Sequence, residues 1–149
     1  MADMLFYHLE RDPLERVLPP LIEKSLERGW RSVVQVGNEE RMRALDTELW
    51  TWRDESFLPH SCADQPNADR QPVLLTLGAD NENGAQIRFL VDGAAIDDPG
   101  DYQRLVYLFD GHDPNAVTTA REMWRWAKGH GLDVTYWQQS DRGAWQKRG

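Results

Sequence analysis

The chain has 149 residues, 40% apolar and 28% charged, with 17 basic side chains against 25 acidic ones and a net charge of −8. That describes one domain, residues 1–149, able to bury a core without metal or disulfide staples, and the single Cys62 excludes an internal disulfide framework and fits a reducing cytoplasm. No apolar run approaches the roughly 18 residues of a membrane span, and "MADMLFYHLERDPLE" reads as neither a signal nor a transit peptide.

In chain order, "MLFYHL" (4–9) reads as a buried, aromatic-rich strand. Asp12-Pro13 then reads as a capped helix start. Leu14, Val17, Leu18, Leu21, Ile22 and Leu26 recur at helical spacing, and Pro19-Pro20 is expected to kink or divide that helix. "RSVVQVG" (31–37) is a second strand. "NEERMRALDTELW" (38–50) is a helix with an Asn cap, acids in its first turn, and Met42, Leu45, Leu49 and Trp52 on its apolar face. Residues 53–71 break the periodicity and read as a loop, in which Phe57 and Leu58 stand out. "PVLLTL" (72–77) is a buried strand, "IRFLVDG" (87–93) an alternating one, and "RLVYLFDG" (104–111) a third on its β-branched and aromatic content. Asp113-Pro114 repeats the cap-plus-proline start for a helix reaching Gly129 or Gly131. "LDVTYWQQ" (132–139) is the last strand, before a short tail ending "GAWQKRG". The order β-α-β-α-β-β-β-α-β predicts a single α/β domain: a Rossmann-like three-layer sandwich with a mainly parallel or mixed sheet.

Such a fold makes nucleotide chemistry the first expectation, and the residues oppose it. The first strand runs into "ERDPLE", so neither G-x-G-x-x-G nor G-x-x-x-x-G-K-[ST] is present and no phosphate-binding loop is expected. The single glycine of "VGNEE" is a weak phosphate signal. His8, His60, His112 and His130 lack metal-ligand spacing, and Cys62 near His60 does not make a convincing nucleophile pair. Asp110 and Asp113 read better as a turn and a helix cap than as acid/base or Mg²⁺ residues. No catalytic residue, metal site or cofactor is therefore expected.

One constellation remains. Residues 121–149 carry a net +3, leaving −11 on residues 1–120. Within "AREMWRWAKGHG" (120–131), a wheel at about 100° per residue puts Arg121, Arg125 and Lys128 on one line with Val117, flanked by Trp124. Ala116, Met123, Trp126 and His130 take the opposite side, so Trp126 is assigned to the core and Trp124 to a partner. Arginine forks suit carboxylates, and an indole wall suits an apolar or aromatic side chain. The expected ligand is short, acidic and carries a hydrophobic residue. At net −8, with no basic track, the tryptophans are not expected to stack on naked nucleic acid.

These stretches are similar to those of a known family. "FYHL", "LDTELW" followed by "SFLPH", "QPVLLTL", "AREMWRWAKGHGLDVTYW" and a terminal "GAWQK" resemble, in order and spacing over nearly the whole chain, the chi subunit of bacterial DNA polymerase III. The resemblance implies a cytoplasmic, non-catalytic accessory subunit of the replicase, with a Rossmann-like fold that has lost nucleotide binding. It implies that the partner is the acidic C-terminal tail of single-stranded-DNA-binding protein, which ends in aspartates, a proline and a phenylalanine. It further implies the psi subunit and the clamp loader as partners. Carried over position by position, Arg121 and Arg125 match the family's basic residues and Trp124 its aromatic one, while Trp50 and Phe57 match apolar residues lining the tail pocket. Val117 stands where chi-like sequences place a lysine, and Lys128, on the same face, is expected to compensate. The competing readings are a degenerate Rossmann-type nucleotide-binding enzyme and a direct single-stranded-DNA binder.

Overall fold

In the computed structural model, which describes residues 2–51, 61–62, 70–78, 81, 83–140, 142 and 144–148, runs of β-branched and aromatic residues form one sheet. The order along the chain is β1 (Asp3–Leu9), α1 (Leu14–Glu27), β2 (Ser32–Val36), α2 (Glu39–Thr51), β3 (Ser61–Cys62), β4 (Val73–Thr76), β5 (Ile87–Val91), β6 (Arg104–Asp110), α3 (Pro114–Gly129), β7 (Asp133–Gln139) and β8 (Trp145–Arg148). Eight strands lie in the order β3-β4-β2-β5-β6-β1-β7-β8. Every pairing is parallel except β7 with β8. The mixed, mainly parallel α/β sandwich expected from the sequence is what forms.

Strand residues divide alternately between two cores. One holds Val34, Phe89 and Leu108 with Val17, Leu18 and Ile22 of α1 and Met42, Leu45 and Leu49 of α2. The other holds Phe6, Leu90 and Tyr107 with Ala120, Met123 and Ala127 of α3. The first two helices therefore cover one face; on the other α3 lies over β6 and β7, while Ala85, Ala94, Ile96 and Tyr102 join the core with Val33, Leu74 and Leu90, so that β2, β4 and β5 are buried along their whole length. β5 is thus not the half-exposed alternating strand its sequence suggests. Its Arg88 is fully buried, with the guanidinium donating to Gln35 Oε1, the Tyr102 hydroxyl and the Gly78 carbonyl.

Four local expectations are corrected. Pro19-Pro20 does not divide α1, which runs unbroken over 14 residues. Burial of Val17, Leu18, Pro19 and Ile22 against the sheet outweighs the loss of two helical N–H donors. Asp12 is not the helix cap: Pro13 occupies that place without a side-chain cap bond, and Asp12 Oδ2 accepts from Gln139 Nε2 at 2.7 Å. The stretch read as a loop contains the short edge strand β3. The terminal stretch read as a tail supplies β8, anchored where Trp145 meets Tyr7 edge-on at 5.1 Å. By contrast Asn38 and Asp113 cap as expected, Oδ1 of each accepting a backbone N–H at 2.9 Å. Among the described residues no helix is long and apolar enough to cross a membrane.

Candidate functional site

Two places invite chemistry. The first is an open crevice of about 750 Å³ beyond the carboxyl ends of the strands, where folds of this kind hold nucleotides. Its lining is acidic: Glu10, Asp12, Glu15, Asp92, Asp110 and Asp113 face it, against Arg11 and Arg41. Arg41 is committed within the wall, 2.7 Å from Glu15 and 3.2 Å from Asp92. Burial opposes the ionisation of Glu15, and the Arg41 hydrogen bond, a backbone hydrogen bond and the Arg41 charge together outweigh it, leaving the carboxyl below its ordinary value.

The phosphate cradle is filled by the protein itself. In the turn after β1, the backbone N–H groups of Glu10, Arg11 and Asp12 all converge on the side-chain oxygen of Gln139, at 3.4, 2.9 and 3.0 Å. In a dinucleotide-binding fold, N–H groups at this place point at phosphate. Gly37, the weak glycine signal after β2, has a packing role, because a Cβ there would sit 2.0 Å from the Asp92 carbonyl oxygen. The crevice therefore has the right location for a nucleotide and the wrong groups for one.

The second place is α3. Asp113 caps it, Pro114 opens it, and Gly131, at φ +74°, turns the chain into β7. Its buried line is Ala120, Met123 and Ala127. Two of the three buried residues are alanines, so the side of the helix that meets the sheet is not the one marked by its largest apolar residues. At about 100° per residue, Trp124 and Trp126 lie roughly 65° and 95° to either side of that line. Trp126 packs against the core as assigned, and Trp124, assigned to a partner, also leans on that core: both are half-buried against it. Trp124 packs its ring 5.5 Å from Phe6 and 5.8 Å from Tyr136, whereas Trp126 packs on His130 at 4.6 Å.

Arg121, Arg125 and Lys128 are all exposed on the flank beside Trp124. Lys128 holds its ammonium 5.3 Å from the centre of the Trp124 ring. No carboxylate among the described residues pairs with any of the three. These four site residues thus come together, with Val117 half-buried a turn earlier. The other two do not join them in what the structure describes. Trp50 lies in α2, in the layer on the opposite face of the sheet, and its side chain is not among those described. Phe57 lies outside the described residues.

The structure adds a residue that the sequence did not single out. Tyr136 of β7 forms the floor beneath Trp124, and its hydroxyl lies 2.6 Å from Nδ1 of His8 on β1. Burial raises its phenol above the ordinary value, the Arg121 charge pulls it down, and Glu10 adds to the rise. Only the strand register, which brings Tyr136 beside Phe6, reveals this; nothing in the local spacing does.

A family model described as "DNA polymerase III chi subunit, HolC" matches residues 1–135. Among curated proteins, the "Probable DNA polymerase III subunit chi" of Rickettsia prowazekii (strain Madrid E) is 25% identical over 96 residues, 64% of this chain and 58% of that protein. The "DNA polymerase III subunit chi" of Pseudomonas aeruginosa (strain PAO1) is 29% identical over 117 residues, 76% of this chain and 78% of that protein. The match thus spans less than two thirds of the Rickettsia relative's length and more than three quarters of the Pseudomonas one.

Proposed function

The chain belongs to the DNA polymerase III chi subunit family, a replication accessory subunit, and on that premise we propose that it works by binding rather than by catalysis. Its ligand is the acidic C-terminal tail of single-stranded-DNA-binding protein, taken up on α3, and through the psi subunit it ties that protein to the clamp loader in the cytoplasm. The observation that carries the reading is the flank of α3: three exposed cations, none paired with a carboxylate among the described residues, beside a half-buried indole. Arg121 and Arg125 take the tail's carboxylates, Lys128 adds charge over Trp124, and the Trp124–Tyr136 surface takes its aromatic end. Trp50 and Phe57, matched to the family's pocket by resemblance, are proposed as further apolar contacts.

The test is a calorimetric titration of the full chain with a synthetic peptide of the tail, alongside a peptide with its aspartates replaced by asparagine. Saturable binding of the first and loss with the second is expected. No binding of the acidic peptide at low salt overturns the reading.

A further inference from the structure

The wall of the α3 site is Trp124; its floor is Tyr136, whose ring packs among Trp124, Phe6, Phe109 and His8. The Tyr136 hydroxyl sits where two charges reach it, Arg121 from α3 and Glu10 from the end of β1. Its hydrogen-bond partner is Nδ1 of His8, at 2.6 Å. The other ring nitrogen of His8, Nε2, is buried and lies 2.9 Å from Glu10 Oε1, off the in-line direction of a hydrogen bond. Glu10 is itself fixed by the Gln138 amide at 3.0 Å.

This geometry sets the direction of a hydrogen bond. In neutral His8 only one nitrogen carries a proton, and the adjacent Glu10 carboxylate favours Nε2. Nδ1 is then an acceptor, and Tyr136 donates its hydroxyl proton to it. The phenol oxygen turns only lone pairs toward the α3 flank, which a carboxylate does not welcome. When His8 takes up a proton, both nitrogens are donors. Nδ1–H then donates to the phenol oxygen, and the hydroxyl proton is free to rotate toward a ligand.

We propose that Tyr136 is a carboxylate-binding residue of the α3 site whose donor is released by a proton on His8, so that an acidic peptide binds more tightly as His8 protonates. The inference rests on the tail-binding reading. The proton comes from the buffer onto Nδ1, while the phenol keeps its own and only reorients. By linkage, the bound carboxylate then draws a fraction of a proton onto the protein. The groups facing His8 are Glu10 beside it on β1, Asp110 and His112 at and after the end of β6, Gly111 against its ring, and Tyr136 on β7. Burial lowers His8 below the ordinary histidine value, and Glu10 opposes that effect. The device therefore works on the acid side of the ordinary histidine range.

The experiment measures affinity of the full chain for the synthetic tail peptide between about pH 7.5 and about pH 5.5, with calorimetry in two buffers of different ionisation enthalpy. Circular dichroism at each pH confirms the native fold. Affinity is expected to rise roughly three- to tenfold toward acid, the reach of one added hydrogen bond, with proton uptake on binding. Tyr136→Phe keeps the ring contacts but has no hydroxyl, so it binds with no acid gain and no proton uptake. His8→Gln also loses the slope, and His112→Gln keeps it. A Tyr136→Phe protein that retains the wild-type slope overturns the inference while leaving tail binding intact, as does a flat wild-type profile. Absence of peptide binding at every pH refutes the tail-binding reading itself.

Discussion

Replacing Arg121 and Arg125 together by alanine separates binding from folding. Both side chains are exposed and neither pairs with a carboxylate among the described residues, so neither contributes an ion pair to the fold. Surface changes of this kind stay within about 0.5 kcal/mol of wild-type stability. In the complex each guanidinium makes a charge-assisted bond to a tail carboxylate, worth about 1.5–3 kcal/mol. The exposed setting argues for the low end of that range, roughly 3 kcal/mol for the pair. That corresponds to a loss in affinity of about 150-fold. Titration calorimetry with the tail peptide reads this loss, and a melting curve of the same sample shows the fold intact. Wild-type binding should also fall as salt shortens the screening length from about 8 Å at physiological strength to about 3 Å at 1 M. An affinity that changes less than threefold in the double variant, or that ignores salt, refutes the assignment of the tail to this flank.

Trp50→Ala tests the carry-over that the architecture makes least expected. As a proposed apolar contact of the tail, Trp50 should cost about tenfold in tail-peptide affinity when lost, about 1.4 kcal/mol, and an affinity within about twofold of wild type, in keeping with α2 lying on the opposite face from α3, removes it from the site. Gly111→Ala places a Cβ 2.1 Å from His8 Nε2 and 2.8 Å from the Leu9 carbonyl oxygen. Tyr136 and Phe109 hold the His8 ring, so overpacking should cost about 1–3 kcal/mol. Scanning calorimetry should find the melting temperature lowered by about 3–10 °C. Glu15→Gln removes a carboxylate that Arg41 holds below its ordinary value. The folded group binds its proton less readily than the unfolded one, so the wild-type advantage is present above the ordinary glutamate value of 4.5 and disappears as pH falls through the lowered folded value. Denaturant unfolding across that range should show the two proteins converge in acid.

The legible parts of this chain were those decided within one turn or one strand. Asn38 and Asp113 cap because their partners are the N–H groups two or three residues on. Asp12 has the same local signature and does not cap, because its carboxylate accepts instead from the amide of Gln139, 127 residues away. β8 was invisible for a similar reason. Four residues, mostly polar outside Trp145, become a strand only because β7 offers an edge and Tyr7 offers an aromatic ring. The α3 wheel put Trp126 on the core side, where it packs, but did not show that Trp124 leans on the core as well, because the buried line of the helix is Ala120, Met123 and Ala127 and so falls between the two tryptophans. The cations of the site were readable, since exposed charge follows the helix period. Its floor was not, since Tyr136 reaches Trp124 only through parallel pairing of β7 with β1.

The distribution of charge bears on which anions the α3 flank can hold. Its three cations sit on a chain whose first 120 residues carry −11. At physiological salt, charges interact over about 8 Å. A short acidic peptide lying along α3 falls mostly within that distance of Arg121, Arg125 and Lys128. A polynucleotide entering the same flank runs past it in both directions, over a surface that includes the six carboxylates of the crevice. Its favourable counterion release is limited to the roughly three phosphates the cations can neutralise, a salt slope of about −2 for a single strand. That is too shallow a dependence for stable gripping of naked DNA. On the proposed reading the stripe suits the length of a short acidic tail rather than of the DNA, and at the crevice the N–H groups of Glu10, Arg11 and Asp12 are turned to Gln139. The proposal thus has two separable parts: the cationic flank of α3 selects its anion by length, and the proton on His8 adjusts how tightly that anion is held.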